Sequence, residues 1–181
     1  MLIERINKNK FISTNATEEY HPIMSGKNIK VVPFRDEYAN DFKRLNLEWI
    51  EKYFNVEELD KKQLEHPREN IIETGGEIYY VIEDGNVKGV CALIFHEEGV
   101  YEIAKMAVDK GSRGRGYGNM LMEAVIEGAR VKKADKIVII SNTQLDLAIN
   151  LYKKFGFITT RLGQNPDYER GNIEMQLDLS E

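Results

Sequence analysis

The sequence predicts a mixed α+β domain with a central, mostly antiparallel, twisted sheet of six to seven strands and about four flanking helices. Two observations support this prediction. Three strand-like segments follow one another through short turns, the first of which contains Asp84-Gly85, a strong hairpin signal. Segments with apolar residues at helical spacing lie before and after them. The length of 181 residues is that of a single domain.

The first half of the chain is predicted to contain one strand, two helices and three further strands. The first strand covers 29–34, and a helix with regularly spaced apolar residues follows it. A shorter helix covers 56–64 and is ended by Pro67. The apolar positions of the first helix are Tyr38, Phe42, Leu45, Trp49 and Tyr53. The three further strands form a meander over 76–83, 87–96 and 100–108.

The second half is predicted to alternate helices and strands. A helix begins at Gly116, and the near-continuous apolar run 136–141 indicates a strand buried in the sheet. The predicted core positions of that helix are Met120, Ala124, Ile126 and Val131. A helix over 145–154, a strand over 157–162 and a final strand over 173–179 complete the domain.

The beginning of the chain differs from the rest. Residues 1–27 are polar and carry no periodic pattern, so they are predicted to be an N-terminal arm before a domain over 28–181. The arm is expected to pack on the domain or on a neighbouring subunit, which leaves a homodimer open. The chain has no signal-peptide core and no run of the ~18 apolar residues that span a membrane. A cytoplasmic location without a membrane partner is therefore expected.

The composition excludes several kinds of site. Cys91 is the single cysteine, which rules out an intrachain disulfide and a cysteine-rich zinc site, and its apolar neighbours predict a core residue. His21, His66 and His96 lack the spacing of metal ligands, so no metal site is predicted. The net charge of −5 argues against a nucleic-acid partner.

The most informative segment is 106–121, where a half-apolar strand leads into a glycine-rich turn and then into an amphipathic helix. Gly114, Gly116 and Gly118 have no Cβ, so the backbone can turn sharply and approach a ligand closely. The N-terminus of the helix adds free N–H groups and a partial positive charge that favours an anion. The turn is therefore predicted to bind a phosphate group.

Two common nucleotide-binding motifs do not fit this turn. A Walker A loop needs Lys and then Ser or Thr after its second glycine, but Gly116 is followed by Tyr117. The dinucleotide fingerprint that starts at Gly114 needs glycine at position 119, which is Asn119. The phosphate ligand is therefore of another kind.

The turn matches the Q/R-x-x-G-x-G/A signature of the GNAT superfamily of acetyltransferases, with Arg113, Gly116 and Gly118 in the defined positions. A second segment, 148–157, resembles the superfamily's A-x-x-L-Y-x-K-x-G-F block. Its matching residues are Ala148, Leu151, Tyr152, Lys154, Gly156 and Phe157. The predicted order of elements over 28–179 is also that of the GNAT fold, so the chain resembles this superfamily over most of its length.

The resemblance implies that acetyl-CoA is the co-substrate and that no metal is needed. In the superfamily, the amides of the turn bind the pyrophosphate, and the preceding strand lies along the acetyl and pantetheine groups. The coenzyme-binding residues so implied are Met106, Ala107, Val108, Arg113, Gly114, Arg115, Gly116, Tyr117, Gly118, Asn119 and Tyr152. Many members have Asn three residues before Ala148, where this chain has Leu145, so one contact is either missing or supplied by Asn142 or Asn150.

The implied reaction is N-acetyl transfer to a primary amine by direct attack in a ternary complex. Glu102 aligns with the general-base glutamate of histone-type members and acts directly or through water, the alternative being an ordinary exposed carboxylate. Tyr152 matches the tyrosine that protonates the coenzyme thiolate, the alternative being a ring packed in the core. The backbone N–H of Val108 or of a neighbour is expected to bind the oxyanion.

The acceptor is left open among a small amine, an amino acid, a peptide N-terminus and a protein lysine. Superfamily architecture implies a site between the first two helices and the last strands. The wall residues expected there are Tyr53, Glu57, Asp60, Glu73 and Tyr168.

A narrower resemblance suggests a second function. The runs 47–54, 104–108 and 168–175 look most like the acetyltransferase half of bacterial fusions between a MarR-type regulator and a GNAT domain. Together with Leu145, this motivates an alternative, an acyl-CoA-binding regulatory module with little or no catalysis. A nucleic-acid segment of the RG type over 113–116 is disfavoured, because such segments are usually repetitive and disordered.

Overall fold

The computed structural model of the protein describes residues 28–166 and 168–180, which form one seven-stranded sheet and its flanking helices. The strands are β1 (Ile29–Pro33), β2 (Glu77–Glu83), β3 (Asn86–Glu97), β4 (Val100–Val108), β5 (Lys136–Ser141), β6 (Ile158–Leu162) and β7 (Ile173–Asp178). The helices are α1 (Ala39–Tyr53), α2 (Glu58–Glu65), α3 (Tyr117–Val131) and α4 (Asp146–Lys154). The kinds of element and their order confirm the predicted mixed α+β fold.

The spatial order of the strands is β1-β2-β3-β4-β5-β7-β6, and every neighbouring pair is antiparallel except β4 and β5. Side chains of a strand alternate between the two faces of its sheet. On β3, Cys91 and Leu93 pack in a core that α3 and α4 cover, whereas Val90, Ala92 and Ile94 pack in a second core that α1 covers. The sheet therefore has a buried core on each face.

The sheet opens between its two central parallel strands. β4 pairs with β5 only from Val100 to Glu102, opposite Lys136 to Val138. Beyond these three pairs β4 continues to Val108 beside β3, while β5 continues to Ser141 beside β7. A gap therefore separates the C-terminal halves of β4 and β5. The glycine-rich turn begins at the end of β4, at one side of this gap.

The predicted core is largely confirmed in the described residues. Cys91 is fully buried, and burial raises the pKa of its thiol. Met120 and Ile126 of α3 are buried, but the prediction for Val131 is wrong, since its side chain is 75% exposed. Val131 follows the buried Ala129 by two residues, which places it on the opposite side of the helix.

The segment after α2 differs from the sequence prediction. α2 ends at Glu65, before Pro67 as predicted, but a π-helical turn over Arg68–Ile72 that the pattern did not indicate follows it. The predicted N-terminal arm, 1–27, lies outside the described residues. Within the described part of the chain, no helix combines the length and the apolar composition that crossing a membrane requires.

Candidate functional site

The glycine-rich turn presents a row of backbone N–H groups. Gly114 has φ +75° and Gly116 has φ +85°, a left-handed conformation that favours glycine, and Gly116 is the N-cap of α3. Within the described residues, the N–H groups from Gly114 to Gly118 find no hydrogen-bond acceptor. Because they lie at the N-terminus of a 15-residue helix, they form a site for an anion.

The side chains of the turn have different surroundings. Arg113 is exposed, and its Nε donates to the Val108 carbonyl at 3.3 Å. Arg115 forms a bidentate ion pair with Glu83 of β2, in which Nη1 lies 2.9 Å from Oε2 and Nη2 binds Oε1. The Tyr117 ring is buried in the core, so this residue offers a ligand its backbone alone. The backbone of the turn is therefore better placed for a phosphate than most of its side chains.

The start of α3 is joined to α4 beside the turn. The Asn119 side chain accepts a hydrogen bond from Lys154 Nζ at 2.6 Å. A Cβ added to Gly118 would lie 3.2 Å from the Leu151 side chain and 3.7 Å from that of Met106. α3, α4 and β4 therefore meet closely at this glycine, and a larger residue there would push on their packing.

Beyond Glu102, the edge of β4 that faces the gap pairs with no other strand among the described residues. The N–H of Asp109, just after β4, donates to the carbonyl of Lys88 in β3 at 2.9 Å. Successive N–H groups of a strand point to opposite sides, so the N–H of Val108 points toward the gap. Met106 and Val108 are half-buried and Ala107 is buried. The predicted coenzyme-binding segment 106–108 thus lines one wall of the gap.

Tyr152 of α4 is buried in the core on the α3 side of the sheet. Its ring centroid lies 6.3 Å from that of Phe157, and 7% of the residue is exposed. Burial raises the pKa of its phenol, so the hydroxyl stays protonated at neutral pH. Among the described residues, none hydrogen-bonds this hydroxyl, which leaves its proton free for a ligand.

The two asparagines considered as coenzyme contacts differ in exposure. Asn150 is exposed on α4. Asn142 is buried, with Nδ2 donating to the Arg170 carbonyl at 2.6 Å and Oδ1 accepting from the Gln144 N–H at 2.9 Å. The Asn142 side chain therefore joins the turn after β5 to the segment before β7.

Glu102 is a buried carboxylate on the other face of the sheet. It is the last residue of β4 that pairs with β5, and its side chain is 4% exposed. Its Oε2 lies 2.7 Å from Nε2 of His96, whose side chain is 44% exposed. The alternative of an ordinary exposed carboxylate is therefore wrong.

A buried ion cluster lies on the same face as Glu102. We call the four residues Glu57, Asp60, Lys105 and Arg170 the Asp60 cluster. Arg170 binds both oxygens of Asp60, with N–O distances of 2.5 and 2.7 Å, and also reaches Glu57 at 3.0 Å. Lys105 Nζ lies 3.0 Å from Asp60 Oδ1. Asp60 is completely buried, so all of its charge is balanced by protein groups.

A backbone irregularity places one cation of the Asp60 cluster, and aromatic rings surround the other. Lys105 has φ +51°, unusual for a residue with a side chain, at a β-bulge where β4 has one residue more than β3 between two paired positions. The bulge turns the Lys105 side chain toward α2. Arg170 is surrounded by the rings of Trp49, Phe54 and Tyr168, whose centroids are 5.6 to 6.0 Å away.

Charge and burial compete within the Asp60 cluster. Burial alone would raise the pKa of Asp60, but the Arg170 hydrogen bonds and the Lys105 charge outweigh it and lower the pKa from 3.8 to about 2. Burial lowers the pKa of Lys105, and Asp60 opposes that effect. Asp60 is therefore ionised at every pH at which the protein is normally studied.

The structure brings together three of the five residues expected to line an acceptor site. Glu57 and Asp60 form a capping box at the start of α2 and contact Arg170, and Tyr168 is buried beside Lys105. Tyr53 is 46% exposed at the end of α1, and Glu73 is exposed after the π-helical turn. The first three therefore belong to one charged wall.

Sequence reasoning missed three polar residues of this region, namely His96, Lys105 and Arg170. A lysine between Ala104 and Met106, inside a strand that is apolar apart from Glu102, was the available signal for a buried charge. Nothing in the local sequence indicated that Arg170 binds Asp60, which is 110 residues away. In the described part of the chain, no group of three or more His, Cys, Asp or Glu residues is arranged to hold a metal ion.

Comparison with known proteins agrees with this geometry. Residues 43–157 match the profile of the Acetyltransferase (GNAT) family. A GNAT acetyltransferase from Staphylococcus aureus superposes with a TM-score of 0.76 at 22% identity, covering 84% of this chain and 99% of the other. A putative acetyltransferase from Salmonella typhimurium, determined with its cofactor acetyl-CoA, has a TM-score of 0.70 at 18% identity, covering 84% and 95%.

The relatives found by sequence match this chain over a short segment. Human N-acetylaspartate synthetase is 33% identical over 84 residues, which are 46% of this chain and 28% of the human protein. The rat enzyme matches similarly, at 32% identity over 84 residues. The match thus spans less than a third of these relatives. The family profile covers most of the described sheet together with the glycine-rich turn and α4, and by it the chain belongs to the Acetyltransferase (GNAT) family.

Proposed function

We propose that the protein transfers the acetyl group of acetyl-CoA to a primary amine. The observation that carries this proposal is the row of N–H groups from Gly114 to Gly118, which have no acceptor among the described residues and follow the end of β4, at one side of the gap between β4 and β5. A ligand whose anionic group is bound by these amides would extend its remaining part along β4 into the gap. The coenzyme, with a pyrophosphate and a long arm that ends in a thioester, has this shape.

Deprotonation of the acceptor is the first chemical requirement. An alkylammonium with a pKa near 10.4 costs about 5 kcal/mol to deprotonate at pH 7. Glu102 is proposed as the base, because it is a buried carboxylate at the point where β4 and β5 separate. His96 beside it is accessible to water, so the proton need not remain in the site.

The remaining steps need two hydrogen-bond donors. The N–H of Val108 is proposed to bind the oxyanion that forms when the amine attacks the thioester, since it points toward the gap. Tyr152 is proposed to give its proton to the departing thiolate. The phenol is protonated at neutral pH, so it has the proton that this role requires.

The acceptor is proposed to bind on the face of the sheet that carries Glu102 and the Asp60 cluster. The relatives named N-acetylaspartate synthetase make aspartate the first amino acid to test, although they match over a limited length. Other amino acids, small amines, peptide N-termini and protein lysines belong in the same panel. The narrower likeness to the MarR-GNAT fusions does not favour any of these acceptors.

The proposal is tested by measuring thiol release from acetyl-CoA in the presence of each amine, with mass spectrometry of the product. Release that depends on one class of amine, with a product heavier by one acetyl group, supports the proposal. Tight binding of acetyl-CoA without thiol release for any amine would contradict it and favour the regulatory module.

Replacing Tyr152 by Phe removes the proposed acid without changing the shape of the ring. We expect kcat to fall about 10²-fold, because one positioned proton donor is lost, while the Kd for acetyl-CoA stays within a factor of two. Steady-state kinetics and calorimetry give the two quantities. A kcat equal to that of the wild type would remove Tyr152 from the mechanism.

Replacing Glu102 by Gln removes the proposed base with little change in volume. We expect the rate to fall at neutral pH and to lose the rise with pH that the carboxylate imposes, leaving a dependence on the acceptor's own ionisation. The pH profile of kcat/KM for the amine measures this. If the variant kept the acidic limb of the wild-type profile, the base would be another group.

A further inference from the structure

Glu102 and His96 form a path from the buried interior to solvent. The Glu102 side chain is 4% exposed, the His96 side chain is 44% exposed, and Oε2 and Nε2 lie 2.7 Å apart. A carboxylate that removes a proton in each turnover must lose it again before the next one. At this depth it cannot pass the proton directly to bulk water.

The backbone holds the imidazole in this position. Phe95 pairs with Tyr101 and Glu97 pairs with Val100, so His96 is an extra residue of β3, at a β-bulge. Ile94 pairs with Glu102, and His96 follows Ile94 by two residues, so both polar side chains are on the same face of the sheet. The contact therefore follows from the pairing register as well as from side-chain conformation.

The other titratable groups that face Glu102 offer no comparable exit. Lys105 on β4 is 5% exposed and its ammonium is bound to Asp60. Tyr168, from the segment between β6 and β7, is 7% exposed. Of the described groups that interact with Glu102, His96 alone combines a hydrogen bond to the carboxylate with a largely exposed ring.

We infer that His96 carries the proton from Glu102 to water and so regenerates the base. The inference rests on the proposed function and assigns a role to a residue that acts through Glu102. The ammonium of the acceptor gives one proton to the Glu102 carboxylate, and the carboxylic acid so formed passes it to Nε2 of a neutral imidazole that carries its own proton on Nδ1. The imidazolium then releases one proton to water from its exposed side, and exchange with water restores the tautomer. No bond other than N–H and O–H changes in this relay.

The test compares His96→Ala with His66→Ala, whose histidine is exposed after α2 and far from Glu102 in sequence. We measure kcat with saturating acetyl-CoA and acceptor, at fixed pH and ionic strength, over a range of imidazole concentrations. His96→Ala is expected to lose about tenfold or more in kcat without imidazole and to recover as imidazole rises. The wild type and His66→Ala are expected not to respond.

Two further measurements separate a relay from a packing role. His96→Gln keeps a polar side chain near Glu102 but cannot transfer a proton in the same way, so it should resemble His96→Ala and not the wild type. The Kd for acetyl-CoA and the melting temperature should stay at their wild-type values in both variants. A loss of kcat that imidazole does not restore, or a Gln variant as active as the wild type, overturns the relay.

These measurements also distinguish a failure of the relay from a failure of the proposed acetyl transfer. If the wild type releases thiol with an amine and His96→Ala matches it at every imidazole concentration, the relay alone is wrong. If the wild type releases no thiol with any amine, the proposed function is wrong and the relay is wrong with it.

Discussion

Asp60 offers the sharpest test of the packing beneath the site. Asp60→Asn keeps the size of the side chain but removes the charge that balances Lys105 and Arg170. The pKa of Asp60 falls from 3.8 to about 2 on folding, which corresponds to about 2 kcal/mol in favour of the folded state at pH 7. Removing one partner from a buried ion pair costs about 3–5 kcal/mol in other proteins. We therefore expect a loss of about 2–5 kcal/mol.

The contribution of Asp60 depends on pH in a defined direction. Its pKa is lower in the folded than in the unfolded protein, so the stabilisation is complete above about pH 5 and is lost as the pH falls toward 2. Between pH 5 and pH 3, the wild type should lose about 1 kcal/mol that Asp60→Asn does not lose. The difference in stability between the two proteins should therefore shrink on acidification.

Urea unfolding followed by circular dichroism at pH 7, 5, 4 and 3 measures both effects. In a thermal melt at pH 7, the variant should unfold about 4 °C or more below the wild type. Asp36→Asn is the matched control, because Asp36 also binds an arginine, Arg68, through two hydrogen bonds, but at the surface. That variant should unfold at nearly the wild-type urea concentration. If both variants lose the same stability, or if the Asp60→Asn difference stays constant with pH, the reasoning is refuted.

Three glycine substitutions test other parts of the fold. Gly116→Ala and Gly85→Ala both place a side chain at a φ of +80° or above with no neighbour within 4 Å, so each should cost about 1 kcal/mol in unfolding free energy. Calorimetry should show weaker acetyl-CoA binding for the first alone, and equal affinities would argue against binding by the turn. Gly128→Ala in α3 would put Cβ 1.9 Å from the Tyr79 hydroxyl and should destabilise by about 1–3 kcal/mol. Adding Tyr79→Phe should recover part of that loss in thermal melts, and a stabilised single variant would contradict the predicted clash.

Local sequence patterns were sufficient to predict the main helices and strands and the glycine-rich turn. The run 136–141 predicted the bounds of β5 to the residue, although the strand alternates between buried and half-buried positions and so is fully buried on one face alone. Gly114 and Gly116 predicted a sharp turn, and in the structure both have the left-handed backbone that favours glycine. These features depend on neighbours in sequence, which is why a single sequence is enough to predict them.

The charged wall of the site could be predicted only in part. Glu57 and Asp60 were expected there from the resemblance, but their partners were not, because Lys105 reaches Asp60 through a bulge that no residue type marks. The pairing of His96 with Glu102 likewise depends on an extra residue in β3. A one-residue change of register redirects side chains, and periodicity alone does not reveal it.

The Asp60 cluster also limits how the chain can be recombined. Its carboxylates come from α2, its lysine from β4 and its arginine from the segment before β7, so three distant stretches share one charge balance. A chimera that took 54–66 from a relative without an acid at position 60 would leave two buried cations unbalanced. A chimera should therefore fold when α2 and the segment around Arg170 are exchanged together and come from the same parent protein.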